Sequence, residues 1–199
     1  MVYINGFPGT GKLTIAKMMC DALAHSNTII QAPILIDNHM LIDPVGAVLP
    51  RTHPDYRVHR KAMRSQAFRR YVERGSNSNS IVIFTDFQAS DEMGKEIASE
   101  YMNAAERGGR KFIPIILTVD LDENKRRMIT SDRADGYKCK LTNTEKLGEI
   151  REEYKLLRFD PEAQLELDVT YISPEIAALK IGCWVLSLMQ EQKGKVVNA

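Results

Sequence analysis

The residues best suited to chemistry lie near the start of the printed sequence, in a glycine-rich segment. Residues 6–14 read Gly-Phe-Pro-Gly-Thr-Gly-Lys-Leu-Thr, and the spacing of Gly6, Gly11 and Lys12 is that of a phosphate-binding loop. Glycines let backbone N–H groups close around a polyphosphate, a following helix adds a favourable dipole, and the lysine reaches the outer phosphates. The segment predicts a nucleotide site formed by Gly6, Gly9, Thr10, Gly11, Lys12, Leu13 and Thr14.

An ordinary glycine turn is the alternative interpretation of residues 6–14. With glycine at about 7% and lysine at about 6% of residues, three fixed positions recur by chance in roughly 5% of chains of this length. Here an apolar segment at residues 2–5 precedes the loop and a helical pattern at residues 12–24 follows it. Because this context lowers the chance frequency to well under about 1%, the sequence favours nucleotide binding.

The residue after the lysine departs from the usual phosphate-binding loop. A serine or threonine hydroxyl normally binds Mg²⁺ at that position, whereas this chain has Leu13 and carries its hydroxyl one residue later, at Thr14. We expect Thr14 to face the α- or β-phosphate. Magnesium then relies on water and carboxylates, with Asp86 and Asp37 as the candidate ligands.

Apolar segments that alternate with helical patterns must position these residues. Strands are predicted at residues 2–5, 32–36, 81–84, 112–119 and 169–172, and helices at 12–24, 55–74, 91–107, 122–129, 145–157 and 174–191. This alternation predicts an α/β fold with a five-stranded parallel sheet and helices on both faces. Ligands of such sheets bind beyond the carboxyl ends of the strands, which selects residues 6–12, 37–39, 86 and 171–174.

Taken together, these features resemble the small P-loop kinases. The resemblance rests on the loop at residues 6–14, the strand-end acids Asp37 and Asp86, the arginine-rich segment 126–133 and a closing Asp-Val-Thr-x-x-Ser-Pro-Glu-x-Ala segment. The chain is similar in this pattern to shikimate kinase, gluconate kinase, chloramphenicol phosphotransferase and the nucleoside monophosphate kinases. The resemblance implies a three-layer P-loop fold, ATP with Mg²⁺ as phosphate donor, and a small acceptor whose identity it does not reveal.

The same resemblance implies roles for the residues at the ends of the second and third strands. A carboxylate at Asp37 binds the acceptor hydroxyl and can take its proton, while Asn38 and His39 shape the acceptor pocket. Asp86 lies near magnesium and the acceptor. A turn cap is the structural alternative for either acid. The residue after Asp86 is Phe87, so the second acid with which hydrolytic motors activate water is missing, and this favours a kinase.

Arginines after the fourth strand form a candidate lid over residues 126–144. Arginine suits phosphate recognition because its planar fork donates in pairs and keeps its charge. We expect Arg127 to hold the adenine side of the nucleotide and Arg133 to reach the transferring phosphate during closure. The alternative is a basic helix end that complements the helix dipole.

A strongly basic segment precedes the third strand. Residues 51–74 hold eight lysines and arginines against two acidic residues, a net charge of +6 in a chain of net charge +1. In the related kinases the region at about 38–75 covers the acceptor, so we expect Arg51 and Arg57 to contact it. An anionic acceptor, a nucleotide or an RNA end would suit this charge, and a solvated helix face is the alternative.

Composition limits the remaining possibilities. The chain has 199 residues, 44% of them hydrophobic, and a nearly balanced charge, which indicates one cytoplasmic domain over residues 1–199 and disfavours a nucleic-acid coating protein. Apolar runs are too short for a membrane span. Three cysteines predict neither a disulfide framework nor a zinc site. The last helix is apolar on several sides, which indicates core packing that includes Cys183 and Trp184, or an oligomer contact.

The sequence therefore predicts an ATP-dependent phosphotransferase that moves the γ-phosphate to a hydroxyl of a small molecule, for which an anionic group would suit the basic segment. Three alternatives stay open: a nucleotide-gated interaction protein, an ATPase without a small acceptor, and a polynucleotide 5′-end kinase. A GTPase is disfavoured because the chain has no Asn-Lys-x-Asp motif.

Overall fold

The structure is a computed structural model that describes residues 1–26, 31–74, 80–129, 141 and 143–197, with side chains described as far as residue 190. The strands are β1 Val2–Asn5, β2 Ile34–Asp37, β3 Val82–Asp86, β4 Ile113–Thr118 and β5 Leu165–Asp168. The helices are α1 Lys12–Ala24, α2 Asn38–Gly46, α3 Tyr56–Ala67, α4 Glu92–Arg107, α5 Leu121–Met128, α6 Thr144–Glu153 and α7 Pro174–Val197. A π-helical turn, Phe68–Val72, continues α3.

The five strands form one parallel sheet in the order β2-β3-β1-β4-β5. Strand β1 lies at the centre and is completely buried, as expected for a strand covered by neighbours on both edges and by helices on both faces. The register aligns Asn5 with Asp86 and Asp37 with Thr85. The ends of β1, β2 and β3 therefore lie side by side, and the predicted α/β architecture is confirmed.

Alternating residues of the sheet pack against two separate helical layers. On one face, Ile4 and Ile115 belong to a core with residues of α1 and α7, such as Met19 and Ile181. On the other face, the core includes residues of α2, α3, α4 and the π-helical turn. At its centre the buried ring of Tyr101 contacts the rings of Tyr3, Phe68 and Phe84. The two cores hold the sheet between them and so position its carboxyl edge.

Several element boundaries differ from the prediction. The fifth strand is Leu165–Asp168, not 169–172: it is an edge strand with partly exposed, alternating residues, so its sequence is less apolar than the Val-Thr-Tyr-Ile run that comes after it. Helix α2 begins directly after β2 and contains a proline, which hid its helical pattern. In α7, Cys183 is exposed, so its assignment to the core was wrong, whereas Trp184 packs against the core.

No helix in the described part of the chain has the length and apolarity needed to cross a bilayer.

The start of α4 provides a stability test. A Cβ on Gly94 would lie 2.0 Å from the Ala89 carbonyl oxygen, and the backbone there is held by an antiparallel bridge between Ala89 and Leu156. We expect Gly94→Ala to lower the free energy of unfolding by about 3 kcal/mol or more through overpacking. Gly148→Ala, on a helix with open space around it, should be neutral or stabilising by up to about 1 kcal/mol. Urea unfolding of both variants measures the difference, and equal stabilities would contradict it.

Candidate active site

A large cavity opens beyond the carboxyl ends of β1, β2 and β3, with a volume of about 2060 Å³. Single-ligand pockets typically measure about 300–1,000 Å³, so this cavity has room for two ligands side by side. It brings together the phosphate loop from Gly9 to Thr14, the polar residues Asp37, Asn38, His39 and Asp86, and the arginines Arg51, Arg57 and Arg127. Gly6 lies two residues before Pro8, at which the lining begins. Arg133 lies outside the described residues.

The phosphate loop takes its shape from its glycines and from Thr10. Gly9 and Gly11 have φ values of 87° and 96°, a left-handed conformation that side chains with a Cβ rarely adopt. A Cβ on Gly6 would lie 2.9 Å from the Leu117 carbonyl oxygen on β4. Only glycine therefore fits at the position where the loop leaves the sheet. The Thr10 hydroxyl donates to the Phe7 carbonyl at 2.7 Å and closes the turn from inside.

Lys12 lies across this loop. Its ammonium donates to the carbonyl oxygens of Gly6, at 2.6 Å, and Phe7, at 2.8 Å. These bonds hold the cation over the hollow of the loop, at the start of α1, where the helix dipole also favours an anion. The arrangement is suited to binding a polyphosphate.

Asn5 is a buried anchor of the loop that the sequence analysis missed. Its amide group donates to the carbonyl oxygens of Gln88 and Leu157, and its side-chain oxygen accepts from the N–H groups of Gly6 and Gln88, all at 2.9–3.0 Å. These four bonds use the full capacity of an asparagine amide. They tie the phosphate loop to the segment after β3 and to the segment after α6. A polar residue closing an otherwise apolar central strand was the available signal.

The two strand-end acids lie on neighbouring strands at the floor of the cavity. Asp37 is buried and accepts a hydrogen bond from the Thr85 hydroxyl at 3.1 Å. Asp86 is almost completely buried and accepts from the Phe87 N–H at 2.8 Å and from the Gln88 amide at 2.9 Å. Burial raises the pKa of the Asp86 carboxyl, against the opposing effect of these hydrogen bonds and of nearby arginines. A buried carboxylate of this kind is a good partner for a cation.

The donor set fits a magnesium ion held mainly by nucleotide and water. Among the described residues no cluster of three or more acidic, histidine or cysteine side chains could enclose a metal, and Leu13 occupies the position of the usual hydroxyl ligand. Mg²⁺ in nucleotide sites needs only one or two carboxylates, because phosphates and waters complete its octahedron. Asp86 and Asp37, from adjacent strand ends, supply carboxylates of that kind.

The Asp86→Asn variant distinguishes the destabilising effect of the buried charge from its role in binding Mg²⁺. Because the pKa of Asp86 is raised in the fold, ionisation of this carboxyl lowers the free energy of unfolding as the pH rises above the usual aspartate range. We therefore expect the ligand-free variant to melt at the same temperature as the parent at neutral pH, or higher. Nucleotide binding should require about tenfold more Mg²⁺. Thermal unfolding and magnesium titrations of AMPPNP binding measure both effects. A lower melting temperature with an unchanged magnesium requirement would contradict the assignment.

Arg127 anchors α5 to the phosphate loop. Its guanidinium donates to Glu123 at 2.7 Å, to the Thr10 carbonyl at 3.2 Å and to the Val169 carbonyl at 2.6 Å. Hydrogen bonds from Arg126 and Arg127 lower the pKa of Glu123 to about 2. Arg127 is thus held in the cavity wall, beside residues 169–174, without a ligand. The predicted lid at 126–144 lies largely outside the described residues, so its closure stays a prediction.

A second support of the loop comes from Asn124 and Arg151, which the sequence analysis also missed. The buried Asn124 amide donates to the Pro8 carbonyl at 3.0 Å and accepts from Arg151 at 2.9 Å. The Arg151 guanidinium also lies 5.0 Å from the centre of the Phe7 ring. Helices α5 and α6 therefore hold the outer side of the phosphate loop through one continuous set of contacts.

Comparison with known proteins agrees with this geometry at the level of the fold. No protein-family model matches the chain, and no curated protein matches its sequence. Among solved structures, a gluconokinase from Sinorhizobium meliloti 1021 is similar with a TM-score of 0.58 and 14% identity, over 96% of this chain and 95% of that one. The Mycobacterium tuberculosis APS kinase CysC, in complex with AMPPNP and APS, has a TM-score of 0.57 and 15% identity, over 90% and 93% of the two chains.

A shikimate kinase from Bacteroides thetaiotaomicron is similar over 95% of this chain and 97% of its own, with a TM-score of 0.53 and 18% identity. The chain thus has the fold of small P-loop kinases, and the resemblance inferred from the sequence is confirmed at that level. Because these identities are low, the activity of the chain has to be argued from its own site.

Proposed function

We propose that this protein is an ATP-dependent phosphotransferase that moves the γ-phosphate of ATP to a hydroxyl of a small acceptor. One observation carries the proposal: a phosphate loop with its lysine and two buried strand-end carboxylates, Asp37 and Asp86, open onto one cavity with room for two ligands. Phosphoryl transfer needs little covalent help from a protein beyond positioning, charge neutralisation and an oriented hydroxyl, and this set of groups supplies all three. The small-molecule kinases among its structural neighbours support the same interpretation.

Each half of the cavity has a role in this proposal. In the nucleotide half, the loop from Gly6 to Thr14 cradles the phosphates, Lys12 neutralises the outer ones, and Arg127 holds the base side. Asp86 would hold Mg²⁺, which would supply positive charge to neutralise the phosphates. We expect Arg133 to act on the transferring phosphate.

In the acceptor half, Asp37 orients the acceptor hydroxyl and accepts its proton, since a carboxylate within hydrogen-bond reach can act as a general base. Asn38 and His39 come next in the chain, on α2, and the His39 ring lies 3.1 Å from Asp43, which fixes its orientation. Arg51 and Arg57 line the outer wall. These residues define a pocket for a polar molecule.

The residue after Asp86 disfavours the hydrolytic alternative. This residue is Phe87, and its ring lies 5.3 Å from that of Phe7 in the phosphate loop. An aromatic pair occupies the position at which an ATPase would carry a water-activating acid. This contact favours transfer to a bound acceptor over transfer to water.

A screen of ATP consumption tests the proposal. We expect Mg²⁺- and acceptor-dependent ADP formation with at least one class among hydroxylated metabolites, nucleosides, antibiotics and RNA 5′ ends, and none with Lys12→Ala. ADP formation that no acceptor stimulates would indicate an ATPase. Nucleotide binding without any turnover, together with a tight protein partner in pull-downs, would indicate a nucleotide-gated interaction protein.

A further inference from the structure

A second concentration of positive charge lies outside the large cavity, where α3 continues into the π-helical turn. Four exposed polar residues surround a small hollow there: Gln66, Arg69, Arg70 and Arg74. None of them lines the large cavity. Within the turn itself, Phe68 and Val72 are buried in the core, and the exposed residues are Arg69, Arg70 and Tyr71. This basic surface therefore presents guanidinium groups and one aromatic ring to the solvent.

The basic surface ends at the amino side of the sheet, opposite the cavity. Arg110 donates to the carbonyl oxygens of Val72, at the end of the π-helical turn, and Ser80, two residues before β3. The amino group of Met1 donates to the carbonyl of Lys111, two residues before β4. Because a strand of five residues spans about 15 Å, a ligand on this surface binds apart from the groups at the carboxyl ends.

Nearby acidic residues do not match the charge of the basic surface. The nearest acid in the sequence, Glu73, is already paired with Arg107 at 2.7 Å. Residues 75–79, which follow, read Gly-Ser-Asn-Ser-Asn and contain no acid. In the part of the chain that the structure describes, neither Arg69 nor Arg74 forms an ion pair. Charge complementarity therefore requires an anion from another molecule.

We propose that the basic surface binds a single-stranded nucleic acid, at a site separate from the phosphate loop. Arginine matches a backbone phosphate because its planar fork donates two parallel hydrogen bonds to two oxygens. Tyr71 is 38% exposed, and its ring offers a face on which a base can stack. Cations that follow the backbone and aromatic rings that stack on bases are the combination with which proteins bind single strands.

The shape and composition of the basic surface favour an extended strand over other anions. The hollow measures about 250 Å³, which is less than the roughly 300–1,000 Å³ of small-molecule sites, so it is too small to enclose a metabolite. A membrane surface would need several large apolar side chains beside the cations, whereas Tyr71 is the one exposed large hydrophobic residue of segment 66–74. The balanced net charge of the chain is compatible with this proposal, because the cations are concentrated in one place.

Fluorescence anisotropy with a labelled oligouridylate and a labelled oligothymidylate, each of about 12 nucleotides, tests the proposal. AMPPNP and Mg²⁺ are present in excess, so that the phosphate loop is occupied. Binding of either strand supports the proposal, and the ratio of the two affinities distinguishes RNA from DNA. The double variant Arg69→Gln/Arg74→Gln should bind at least about tenfold more weakly, the effect of losing a hydrogen bond to a charged group. Its plot of log K against log salt should be less steep by about 1.4, since each phosphate contact contributes about 0.7.

Three further variants separate recognition from general effects of charge and folding. Tyr71→Leu should weaken binding at least about fivefold through the loss of base stacking, and Tyr71→Trp should retain it. The double variant Lys17→Gln/Lys180→Gln removes the same charge at exposed residues of α1 and α7, outside the hollow and the cavity. It should change the affinity by less than about twofold. AMPPNP affinity should be the same in all four variants, which shows that each is folded.

Four results would overturn the proposal. The parent and the double arginine variant bind the oligonucleotides equally, or the double lysine variant loses as much affinity as the double arginine variant. AMPPNP displaces the oligonucleotide from the parent, which assigns its binding to the phosphate loop. Vesicles of phosphatidylserine and phosphatidylcholine, or an oligoglutamate of the same length, bind as tightly as the oligonucleotides, which assigns the surface to a membrane or an acidic protein. The proposed phosphotransferase activity is independent of all four, because its own test is nucleotide binding and acceptor-dependent turnover.

Discussion

Lys12→Ala is expected to lower the affinity for ATP at least about 100-fold while leaving the fold intact. The ammonium lies over the phosphate loop on two carbonyl oxygens, so its removal deletes the nearest cation to the outer phosphates without opening a cavity in the core. A hydrogen bond to a charged group is worth about 1.5–3 kcal/mol, and Lys12 is placed to make more than one with a triphosphate. Calorimetric titration with AMPPNP and Mg²⁺ measures the loss.

Lys17→Ala is the matched control for this variant. Lys17 lies on the same helix, is exposed and does not line the cavity, so its removal should change the affinity by less than about twofold. If Lys12→Ala, shown to be folded by circular dichroism, binds AMPPNP as the parent does, the phosphate loop is not the nucleotide site.

Asp37→Asn is expected to lower kcat about 100-fold or more and to leave ATP binding nearly unchanged. The variant keeps the size of the side chain and an oxygen to accept from Thr85, whose hydroxyl donates to Asp37 at 3.1 Å, but it removes the basic oxygen. Loss of general-base assistance costs about 100- to 10,000-fold. Steady-state kinetics with an acceptor found in the ATP-consumption screen measures kcat, and calorimetry with AMPPNP measures nucleotide affinity.

Asp55→Asn controls for the loss of one negative charge nearby. Asp55 is exposed and lies just before α3, outside the cavity lining, so kcat should not change. A fully active Asp37→Asn would leave Asp37 with only a structural role, as the acceptor of the hydrogen bond from Thr85. A parallel loss of kcat and of AMPPNP affinity would instead assign it to magnesium.

The phosphate loop shows why part of this site could be predicted from the sequence alone. Its residues are contiguous and their backbone geometry is local: Gly9 and Gly11 take left-handed conformations that their residue type permits. The acids Asp37 and Asp86 were also predictable, because each ends an apolar strand and parallel strands end at a common edge. Only their order along the edge required the sheet topology, which places β3 between β2 and β1.

The residues that sequence reasoning missed depend on contacts across the chain. Asn5 donates to Gln88 and Leu157, which lie 83 and 152 residues further along the chain. Its position at the end of an apolar strand marks Asn5 as unusual, but no local pattern reveals these partners. The fifth strand was misplaced for a related reason: an edge strand with one partner needs only one apolar face, and Leu165 and Leu167 provide it with a weaker signal than the run that comes after them.

By itself, then, the sequence determined the phosphate loop, the alternation of strands and helices, and the acids at the strand ends, because these depend on local geometry and on hydrophobic periodicity. It also showed a basic segment at residues 51–74, but it did not show which of these lysines and arginines form ion pairs within the fold. Only the tertiary structure distinguished them. Packing α3 against α4 pairs Arg64 with Glu100 and Lys61 with Glu96, whereas Arg60 donates to the side chain of Asn38, the residue after β2. Which charges the fold pairs depends on distances between segments that are far apart in the sequence, and those distances exist only after the chain has folded.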